Sequence, residues 1–507
     1  MQKISIENRR QKLQEKLDRG KTQLERNILG QFSTPFPLAY DILRFSRQYQ
    51  DQENKIKFLD PALGTGVFYS ALLETYSTNH IQEAKGFEID RYYGDPSLNL
   101  WKEEGLEYSI SDFTQSNPSE RKYSLIVCNP PYVRHHHISD YKKELKSKAY
   151  EAAGIKLSGL SGLYCYFMAL AHPWMEKNGL AIWLIPSEFM DVNYGKEVKE
   201  YLTEKVKLLK IHRFEPNDVQ FNDATVTSAI VIFRNEVPSK DHKVEFSYGG
   251  TLANPKVTKK VSLTDLKKEN KWTRFPLSDV RTENELPRLG DFFTVRRGIA
   301  TGDNKFFILS LDEINELKLP ISQFRPILPS PRYLESTQIE GDENGFPLIN
   351  EKLFVLDCKL SFEDVKQTYP TLYSYLRKGV DEGVPERYLC KNRKSWFAQE
   401  NRKESSFYCT YIGRSNKEGG SPFRFIANKS KAVVSNSYLI LYPKTKLEEI
   451  VEKNPSSHHS ILQALNSITS KAMTDEGRIY GGGMQKLEPK ELLKVVATEL
   501  DSLTMKF

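Results

Sequence analysis

Short apolar runs alternate with longer helical patterns between about residues 55 and 235, and this rhythm constrains the fold more than any other feature. A chain that enters a new strand after each helix builds a mainly parallel sheet with helices on both faces. We therefore predict a doubly wound, Rossmann-like α/β domain, whose ligands sit beyond the carboxyl ends of the strands. The predicted strands are Ile56–Leu59, Gly86–Ile89, Leu125–Cys128, Leu180–Ile185, Leu208–Phe214 and Val226–Phe233, and the predicted helices are Phe68–Tyr76, Leu163–Lys177 and Lys196–Leu202.

The rest of the chain divides where its character changes. Residues 1 to 28 are rich in charged and amide side chains, and apolar residues at helical spacing predict an exposed helix that packs one stripe on the body. That stripe consists of Leu13, Leu17, Leu24 and Ile28. From Leu289 onward, strand-like pieces, aromatics, basic residues and glycine turns are mixed without a strand–helix rhythm. We predict an N-terminal helical extension over 1–29, the doubly wound domain over 30–240, a polar connecting segment with a strand or two over 241–284 and a mixed α+β domain over 285–507.

Composition narrows the class of protein. No run approaches 18 uninterrupted apolar residues, and the polar N-terminus lacks the core of a secretion signal, so we expect a cytoplasmic protein without a membrane span. The five cysteines are scattered and form no Cys-x-x-Cys pair, which disfavours zinc and a disulfide framework. We interpret His135–His137 as a solvated or nucleic-acid-facing loop rather than a metal site, because adjacent side chains rarely face one ion. The net charge of +7 is compatible with a polyanionic partner.

A predicted strand runs into a glycine-containing turn at Asp60–Gly66, and glycine lets a backbone approach a ligand closely. The dinucleotide pattern Gly-x-Gly-x-x-Gly fails because Tyr69 holds its third glycine position, and no Gly-Lys-Ser/Thr follows to make a phosphate-binding loop. Glu88 ends the next predicted strand, where a carboxylate can accept from both ribose hydroxyls. Together these features indicate a nucleoside cofactor without a pyrophosphate, a description that S-adenosylmethionine fits.

A second group of polar and aromatic residues follows the later strands. Asp112-Phe113 comes after the apparent third strand, where an acid can accept from an adenine amino group and a ring can pack on its face. Asn129–Tyr132 (Asn-Pro-Pro-Tyr) directly follows Leu125–Cys128 and predicts a pocket for a planar, amino-bearing group. The Asn129 side-chain oxygen and the Pro130 carbonyl can accept the two N–H groups, in a geometry that the prolines fix in advance.

Aromatic rings on both faces would complete such a pocket. Tyr132 can stack on the base, and Phe221, which lies in a polar loop, can cover the opposite face. Direct attack of an amino nitrogen on a methyl group requires no cysteine, so we interpret Cys128 as a buried strand residue.

The order of these segments resembles the γ-class N6-adenine DNA methyltransferases of type II restriction–modification systems. Gly30–Pro35 resembles the N-terminal cofactor motif of that family, Asp60–Gly66 its glycine motif, Gly86–Asp90 its ribose motif, Ser111–Phe113 its adenine motif and Asn129–Tyr132 its catalytic motif. The resemblance implies methyl transfer from S-adenosylmethionine to N6 of an adenine that is flipped out of double-stranded DNA. One departure is that Gly162 precedes Leu163-Tyr164, where many relatives carry an acid.

The motifs and the resemblance together predict the residues of the site. For the target adenine they are Asn129, Pro130, Pro131, Tyr132 and Phe221. For the cofactor they are Thr34, Pro35, Asp60, Pro61, Ala62, Gly64, Gly66, Glu88, Ile89, Asp112, Phe113 and Asn129.

The C-terminal half is similar, more loosely, to the target-recognition domains of this family. Phe293–Phe306 resembles their opening and Tyr480–Pro489 a recurrent closing segment. Between them, Lys391–Phe397 and Phe423–Phe425 mix cations with aromatics, which suits phosphate contacts and base-edge readout. The predicted DNA-binding residues are Arg296, Arg297, Arg393, Lys394, Trp396, Arg424 and Lys486.

Other functions remain open at the level of sequence. The same tetrapeptide occurs in methyltransferases that act on RNA or on protein glutamine, and the chain could be the methyltransferase part of a larger restriction–modification complex. A cytosine C5 enzyme is disfavoured because no Pro-Cys nucleophile stands at the catalytic position. About 29 residues precede the first motif, too few for a nuclease domain, so we expect a separate restriction endonuclease. We also expect the methyltransferase to be a monomer.

Overall fold

The computed structural model describes residues 5–51, 53–118, 120–133, 141–215, 218, 227–277, 286–414, 421–454, 456–480 and 483–506. Two compact units divide the chain. The first comprises Met1–Thr282 with Tyr480–Gly482, and the second comprises Glu283–Ile479 with Gly483–Phe507. Within the described ranges, every helix is too short or too polar to cross a membrane.

A nine-stranded sheet forms the centre of the first unit, in the order β3-β2-β1-β4-β5-β7-β6-β8-β9. The first five strands in this order run parallel, and β7 lies antiparallel between β5 and β6. The strand order reverses between β1 and β4, which places the switch point of a doubly wound sheet there. The strands are β1 (Ile56–Asp60), β2 (Ile81–Glu88), β3 (Glu107–Ile110), β4 (Tyr123–Cys128), β5 (Met175–Pro186), β6 (Lys207–Arg213), β7 (Ser228–Arg234), β8 (Lys243–Gly250) and β9 (Pro255–Ser262).

Helices cover both faces of this sheet, so the predicted doubly wound α/β fold is confirmed. Side chains of a strand alternate between faces. In β4, Leu125 and Val127 pack in one apolar cluster with α3 and α4, while Ile126 and Cys128 pack in another with α6 and α7. The helices are α1 (Ile6–Arg19), α2 (Gln23–Leu29), α3 (Phe36–Ser46), α4 (Val67–Thr75), α5 (Arg91–Trp101), α6 (Lys142–Ala153), α7 (Leu163–Ala171), α8 (Lys196–Glu200) and α9 (Leu263–Lys268).

Three features of the first unit differ from the sequence predictions. The helix predicted over Leu163–Lys177 ends at Ala171, because Pro173 lacks the N–H that would continue it, and β5 begins at Met175. The interval 241–284, predicted as a polar connection with a strand or two, contains β8 and β9, which extend the sheet rather than stand apart from it, and α9 after them. Of the apolar stripe predicted for the N-terminal extension, Leu17 is buried, whereas Leu24 and Ile28 are exposed.

The second unit is a mixed α+β structure, as predicted. It contains a five-stranded sheet in the order β10-β18-β15-β17-β13 and two three-stranded sheets, β11-β14-β12 and β16-β20-β19. Its strands are β10 (Phe293–Arg297), β11 (Ile308–Ser310), β12 (Phe324–Ile327), β13 (Gln338–Ile339), β14 (Leu353–Leu356), β15 (Phe407–Thr410), β16 (Ile412–Arg414), β17 (Phe425–Asn428), β18 (Tyr438–Pro443), β19 (Arg478–Tyr480) and β20 (Met484–Lys486). Its helices are α10 (Leu289–Phe292), α11 (Asn304–Phe307), α12 (Leu311–Glu316), α13 (Phe362–Thr368), α14 (Pro370–Asp381), α15 (Tyr388–Lys391), α16 (Thr445–Lys453), α17 (Ser457–Asn466), α18 (Ser470–Glu476), α19 (Pro489–Leu492) and α20 (Thr498–Lys506).

Candidate active site

The turn after β1 is shaped by its glycines. Gly64 and Gly66 adopt positive φ angles of 55° and 88°, which residues with a side chain rarely occupy. A Cβ on Gly66 would lie 2.5 Å from Nε1 of Trp101, and that indole nitrogen donates to the carbonyl of Thr65 at 2.9 Å. The turn therefore packs directly on α5, and residue 66 must be glycine to allow this contact.

Glu88, at the end of β2, ties this turn to the neighbouring strand. Its Oε2 accepts from the backbone N–H of Gly64 at 3.0 Å, and its Oε1 accepts from that of Asp90 at 2.8 Å. Burial raises the pKa of the Glu88 carboxyl group to about 7. The two backbone hydrogen bonds favour the charged form and therefore lower the pKa, but burial has the larger effect. Each carboxylate oxygen can accept a further hydrogen bond, which suits a ligand that carries hydroxyl groups.

Asp112 and Phe113 follow β3 at the same edge of the sheet. Oδ1 of Asp112 accepts from both the backbone N–H and the hydroxyl of Thr114, each at 2.8 Å, which fixes the carboxylate. The Phe113 ring is buried, with its centroid 5.3 Å from that of Phe87 and 5.5 Å from that of Phe167. An oriented acceptor thus lies beside a rigid aromatic wall.

These strand ends open on a cavity of about 350 Å³. It adjoins the switch point of the sheet, because Pro61, Ala62 and Gly64 follow β1 while Asn129 and Pro131 follow β4. The other lining residues are Gln14, Ile28, Leu29, Gly30, Gln31, Phe32, Ser33, Phe87, Glu88, Ile89, Tyr93, Ser111, Asp112, Phe113, Thr114, Val133, Tyr141, Leu163 and Phe167. A mixture of apolar walls and a few fixed polar groups is typical of a small-molecule site.

The amide of Asn129 is held in one orientation. Its Nδ2 donates to the backbone carbonyl of Phe32 at 3.1 Å and to the hydroxyl oxygen of Thr34 at 3.0 Å. Because a carbonyl can only accept, the nitrogen must face Phe32, and Oδ1 points elsewhere. That oxygen is buried and has no hydrogen-bond partner within the described part of the chain. The site therefore presents a preorganised acceptor that needs a donor.

The loop that carries Asn129 is fixed from several sides. The backbone N–H of Tyr132 donates to the carbonyl of Gly30 at 3.2 Å, and its hydroxyl donates to the carbonyl of Leu184 at 3.1 Å. Burial raises the pKa of the Tyr132 hydroxyl group, the residue as a whole is half-buried, and its ring centroid lies 5.6 Å from that of Phe32. Gly30 has a φ of 65°, and a Cβ on it would lie 2.5 Å from the nitrogen of Tyr132. The segment that begins at Gly30 thus packs backbone to backbone on the Asn-Pro-Pro-Tyr loop.

Four of the predicted cofactor residues do not belong to the described cavity wall. Thr34 is buried and contacts Asn129, while Pro35 is exposed and precedes α3. Asp60 is buried beneath the turn, where its Oδ1 accepts from the N–H of Ala62 at 3.1 Å and burial raises its pKa to about 8. Gly66 packs on Trp101. The structure thus gives Thr34, Asp60 and Gly66 a supporting position behind the wall, and leaves Pro35 at the surface.

Several wall residues were missed by sequence reasoning. Phe32 lies inside the predicted motif Gly30–Pro35, so its apolar character there is a usable signal. Gln14 and Tyr93 carry no such signal, because only the packing of α1 and α5 brings them to the cavity. The predicted Phe221 and His135–His137 lie outside the described residues.

The predicted DNA-binding residues of the second unit fall into two groups. Arg393 donates to the carbonyl of Ala300, and Arg424 donates to the carbonyl of Pro331, both at 2.5 Å, so each guanidinium holds a loop of its own unit. Burial lowers the pKa of the Arg393 guanidinium. Trp396 packs in an apolar cluster with Phe306 and Phe307. These three residues have structural contacts that the sequence pattern did not reveal.

Three of the remaining four cations are better placed to meet a polyanion, whereas Lys486 is only partly exposed and pairs with Glu488 at 2.9 Å. Arg296, Arg297 and Lys394 are exposed. The guanidinium of Arg297 lies over the ring of Tyr411, 4.2 Å from its centroid, and Nζ of Lys486 lies 5.0 Å from the same centroid. A ring that attracts both cations holds them in a defined position at the surface.

Comparison with known proteins identifies both parts of the chain. Residues 33–220 match the Eco57I restriction-modification methylase model, and residues 269–505 match the model of the C-terminal domain of the type II methyltransferase M.Eco57I. The chain is 27% identical over 498 residues to the type II methyltransferase M.AccI of Acinetobacter calcoaceticus, across 94% of this chain and 87% of that protein. It is 23% identical over 485 residues to the type II methyltransferase M.XamI of Xanthomonas campestris pv. amaranthicola, across 94% of this chain and 86% of that protein.

A solved structure shares the fold. The cryo-EM structure of the DrdV–DNA complex superposes with a TM-score of 0.53 at 13% identity, over 92% of this chain and 56% of that chain.

Proposed function

We propose that this chain, which belongs to the Eco57I-type restriction–modification methylases, transfers a methyl group from S-adenosylmethionine to N6 of an adenine in double-stranded DNA. The observation that carries the proposal is the fixed amide of Asn129, whose buried Oδ1 lacks a partner within the described residues. A buried acceptor without a partner costs roughly 1–3 kcal/mol. An N–H group of the target base would remove that cost.

The cavity residues fit the cofactor by their chemistry. Glu88 offers free lone pairs to the ribose hydroxyls, and Asp112 offers an oriented carboxylate to the adenine amino group. Ile89, which is 63% exposed at the cavity, and the buried ring of Phe113 offer apolar surface to the adenine faces. When bound, S-adenosylmethionine supplies an electrophilic methyl group on a sulfonium centre.

The Asn-Pro-Pro-Tyr loop would activate the target nitrogen. The lone pair of an exocyclic amine is delocalised into the ring, which makes the nitrogen a poor nucleophile. Acceptance of its two N–H groups by Asn129 Oδ1 and the Pro130 carbonyl favours a more pyramidal nitrogen. Because Asn129 is held by two acceptors before any substrate arrives, no reorganisation is needed at the moment of transfer. Cys128 takes no part, since burial raises the pKa of its thiol well above the usual range.

The target base would have to leave the duplex to reach this loop. Base flipping costs a few kcal/mol, which stacking and base-edge contacts must offset. We assign one stacking surface to the ring of the half-buried Tyr132 and the other to Phe221. The exposed Arg296, Arg297 and Lys394 would contact the DNA backbone. In this proposal the chain acts as a monomer, and its methylation protects DNA from a separate restriction endonuclease.

The test is a methyl-transfer assay with the full chain, tritiated S-adenosylmethionine and duplex DNA, followed by mass spectrometry of the nucleosides. We expect N6-methyladenine at one short sequence motif. Asn129→Ala should abolish transfer while the cofactor still binds. Asn99→Ala, at an exposed position in α5, is the matched control and should transfer normally. Labelling of RNA or protein in place of DNA would reject the proposal.

A further inference from the structure

The packed face of α1 combines the buried Leu17 with two buried charged residues. Arg10 and Glu7 are both buried and form a bidentate ion pair, with Nε to Oε2 at 2.8 Å and Nη2 to Oε1 at 2.7 Å. The hydroxyl of Ser70, in α4, donates to the same Glu7 carboxylate at 2.6 Å. A buried charge pair persists only when its remaining donors and acceptors are also satisfied, so the position of α1 is specified closely.

The third guanidinium nitrogen of Arg10 reaches the glycine turn. Its Nη1 donates to the hydroxyl of Thr65 at 2.9 Å, and that hydroxyl in turn donates to Oε1 of Gln14 at 2.5 Å. The carbonyl of Thr65 accepts from the indole of Trp101 on its other side. The turn is therefore held between α1 and α5.

Gln14 joins the glycine turn to a second wall of the cavity. While its Oε1 accepts from Thr65, its Nε2 donates to the hydroxyl of Ser33 at 2.8 Å and to Oδ1 of Asp18 at 2.9 Å. Asp18 also accepts from the hydroxyl groups of Ser33, at 3.0 Å, and of Tyr93, at 2.9 Å. Gln14, Ser33 and Tyr93 all line the cavity.

We propose that α1 is an integral part of the cofactor site and that Gln14 is a positioning residue for S-adenosylmethionine. This inference rests on the proposed function, because it assigns the cavity to that cofactor. Gln14 sets the spacing between the turn that follows β1 and the segment that leads to Thr34. A wall held in place before binding loses less freedom on binding, so the network raises affinity without taking part in the chemistry.

The decisive experiment compares two glutamines on the same helix. Gln14→Ala removes the hydrogen bonds that join Thr65 to Ser33 through the Gln14 side chain. Gln11→Ala makes the same change at an exposed position, where the described partner is Glu15 on the same helix. We expect the dissociation constant of S-adenosylmethionine, measured by calorimetry on the full chain, to rise about tenfold for Gln14→Ala and less than twofold for Gln11→Ala. The KM for the cofactor should rise in parallel, while kcat at saturating cofactor stays within twofold of wild type.

A second variant tests the route of the effect. Thr65→Val removes the hydroxyl that links Arg10 to Gln14 and keeps the shape of the side chain. If Gln14 and Thr65 act through their mutual hydrogen bond, the variant that carries both Gln14→Ala and Thr65→Val should bind the cofactor no more weakly than the weaker-binding single variant. If the increases in the dissociation constant for the two single variants instead multiply in the double variant, the two residues act independently and the proposed coupling is wrong. Thr65→Val also provides the measurement if Gln14→Ala does not fold.

The failures of the two proposals can be told apart. If the wild-type chain does not bind S-adenosylmethionine, the proposed function fails. If the wild type binds it and Gln14→Ala binds it equally well, only the role of α1 fails. A lower kcat for Gln14→Ala with an unchanged KM would also overturn a positioning role in cofactor binding.

Discussion

Thr34→Val separates two roles for Thr34. The resemblance to the methyltransferase family implies that Thr34 contacts the cofactor, whereas its hydroxyl oxygen lies 3.0 Å from Nδ2 of Asn129 and outside the described cavity wall. Valine matches threonine in shape but cannot accept a hydrogen bond. The substitution therefore leaves Asn129 with one acceptor, the carbonyl of Phe32.

The magnitude follows from the burial of this contact. Thr34 is 7% exposed, so water does not readily replace its hydroxyl oxygen. A hydrogen bond contributes about 0.5–1.5 kcal/mol, and a buried donor left without a partner costs about 1–3 kcal/mol. A loss of roughly 1–2 kcal/mol in holding the Asn129 amide corresponds to a fall in kcat of about five- to thirtyfold.

The assay is methyl transfer at saturating DNA with varied S-adenosylmethionine. We expect kcat to fall and the KM for the cofactor to stay within twofold. Thr203→Val is the matched control, because Thr203 is also buried and donates to the carbonyl of Lys199 at 2.8 Å. A raised KM with an unchanged kcat would refute the positioning role and would support a direct contact between Thr34 and the cofactor.

Three further predictions concern the turn, its carboxylate and the surface. Burial raises the pKa of Glu88 from 4.5 to about 7, so its contribution to stability is full below 4.5 and is lost as the pH rises through 7. Binding of S-adenosylmethionine, followed by calorimetry, should strengthen over the same rise, and Glu88→Gln should flatten this dependence. Gly66→Ala should weaken cofactor binding and lower the melting temperature, because a Cβ at a φ of 88° is strained and meets Trp101. Arg297→Ala should reduce the salt dependence of DNA binding by about one phosphate contact, whereas Arg393→Ala should lower the melting temperature and keep the salt slope.

The sheet and its site were predictable because each depends on local signals. Apolar runs of strand length, the glycines of the turn and the Asn-Pro-Pro-Tyr loop all lie within short segments. The edge of the sheet gave no such signal. In β9 most side chains are solvated, and Lys256, Lys259 and Lys260 occupy much of the strand. An edge strand of this kind looks like part of a polar connection, so the sequence predicts a strand or two in the interval 241–284 but not that they join the sheet.

The N-terminal helix shows a second limit of pattern reasoning. Apolar spacing predicts that Leu24 and Ile28 pack inward, yet Glu7 and Arg10 are buried and those two are exposed. A charged side chain is buried only with a partner, and here Glu7 and Arg10 pair with each other while Thr65 and Ser70, which are distant in sequence, satisfy the rest of the pair. Arg393 illustrates the reverse case, because a basic residue in a basic segment predicts a DNA contact, whereas the fold uses it to hold a loop.

The departure at Gly162 has a physical reason in the packing of α7. A Cβ at residue 162 would lie 3.1 Å from the ring of Tyr164 and 3.3 Å from the carbonyl oxygen of Val133. That carbonyl accepts from the N–H of Leu163 at 3.0 Å, which joins the start of α7 to the loop carrying Asn129. An acid at this point would push on that loop, so glycine permits the close contact. A carboxylate also lies near Tyr164: Glu188 accepts from the hydroxyl of Tyr194, which lies 3.3 Å from the hydroxyl of Tyr164. Glycine at residue 162 therefore lets the start of α7 lie against the Asn-Pro-Pro-Tyr loop, and Glu188 is linked to Tyr164 through the hydroxyl of Tyr194.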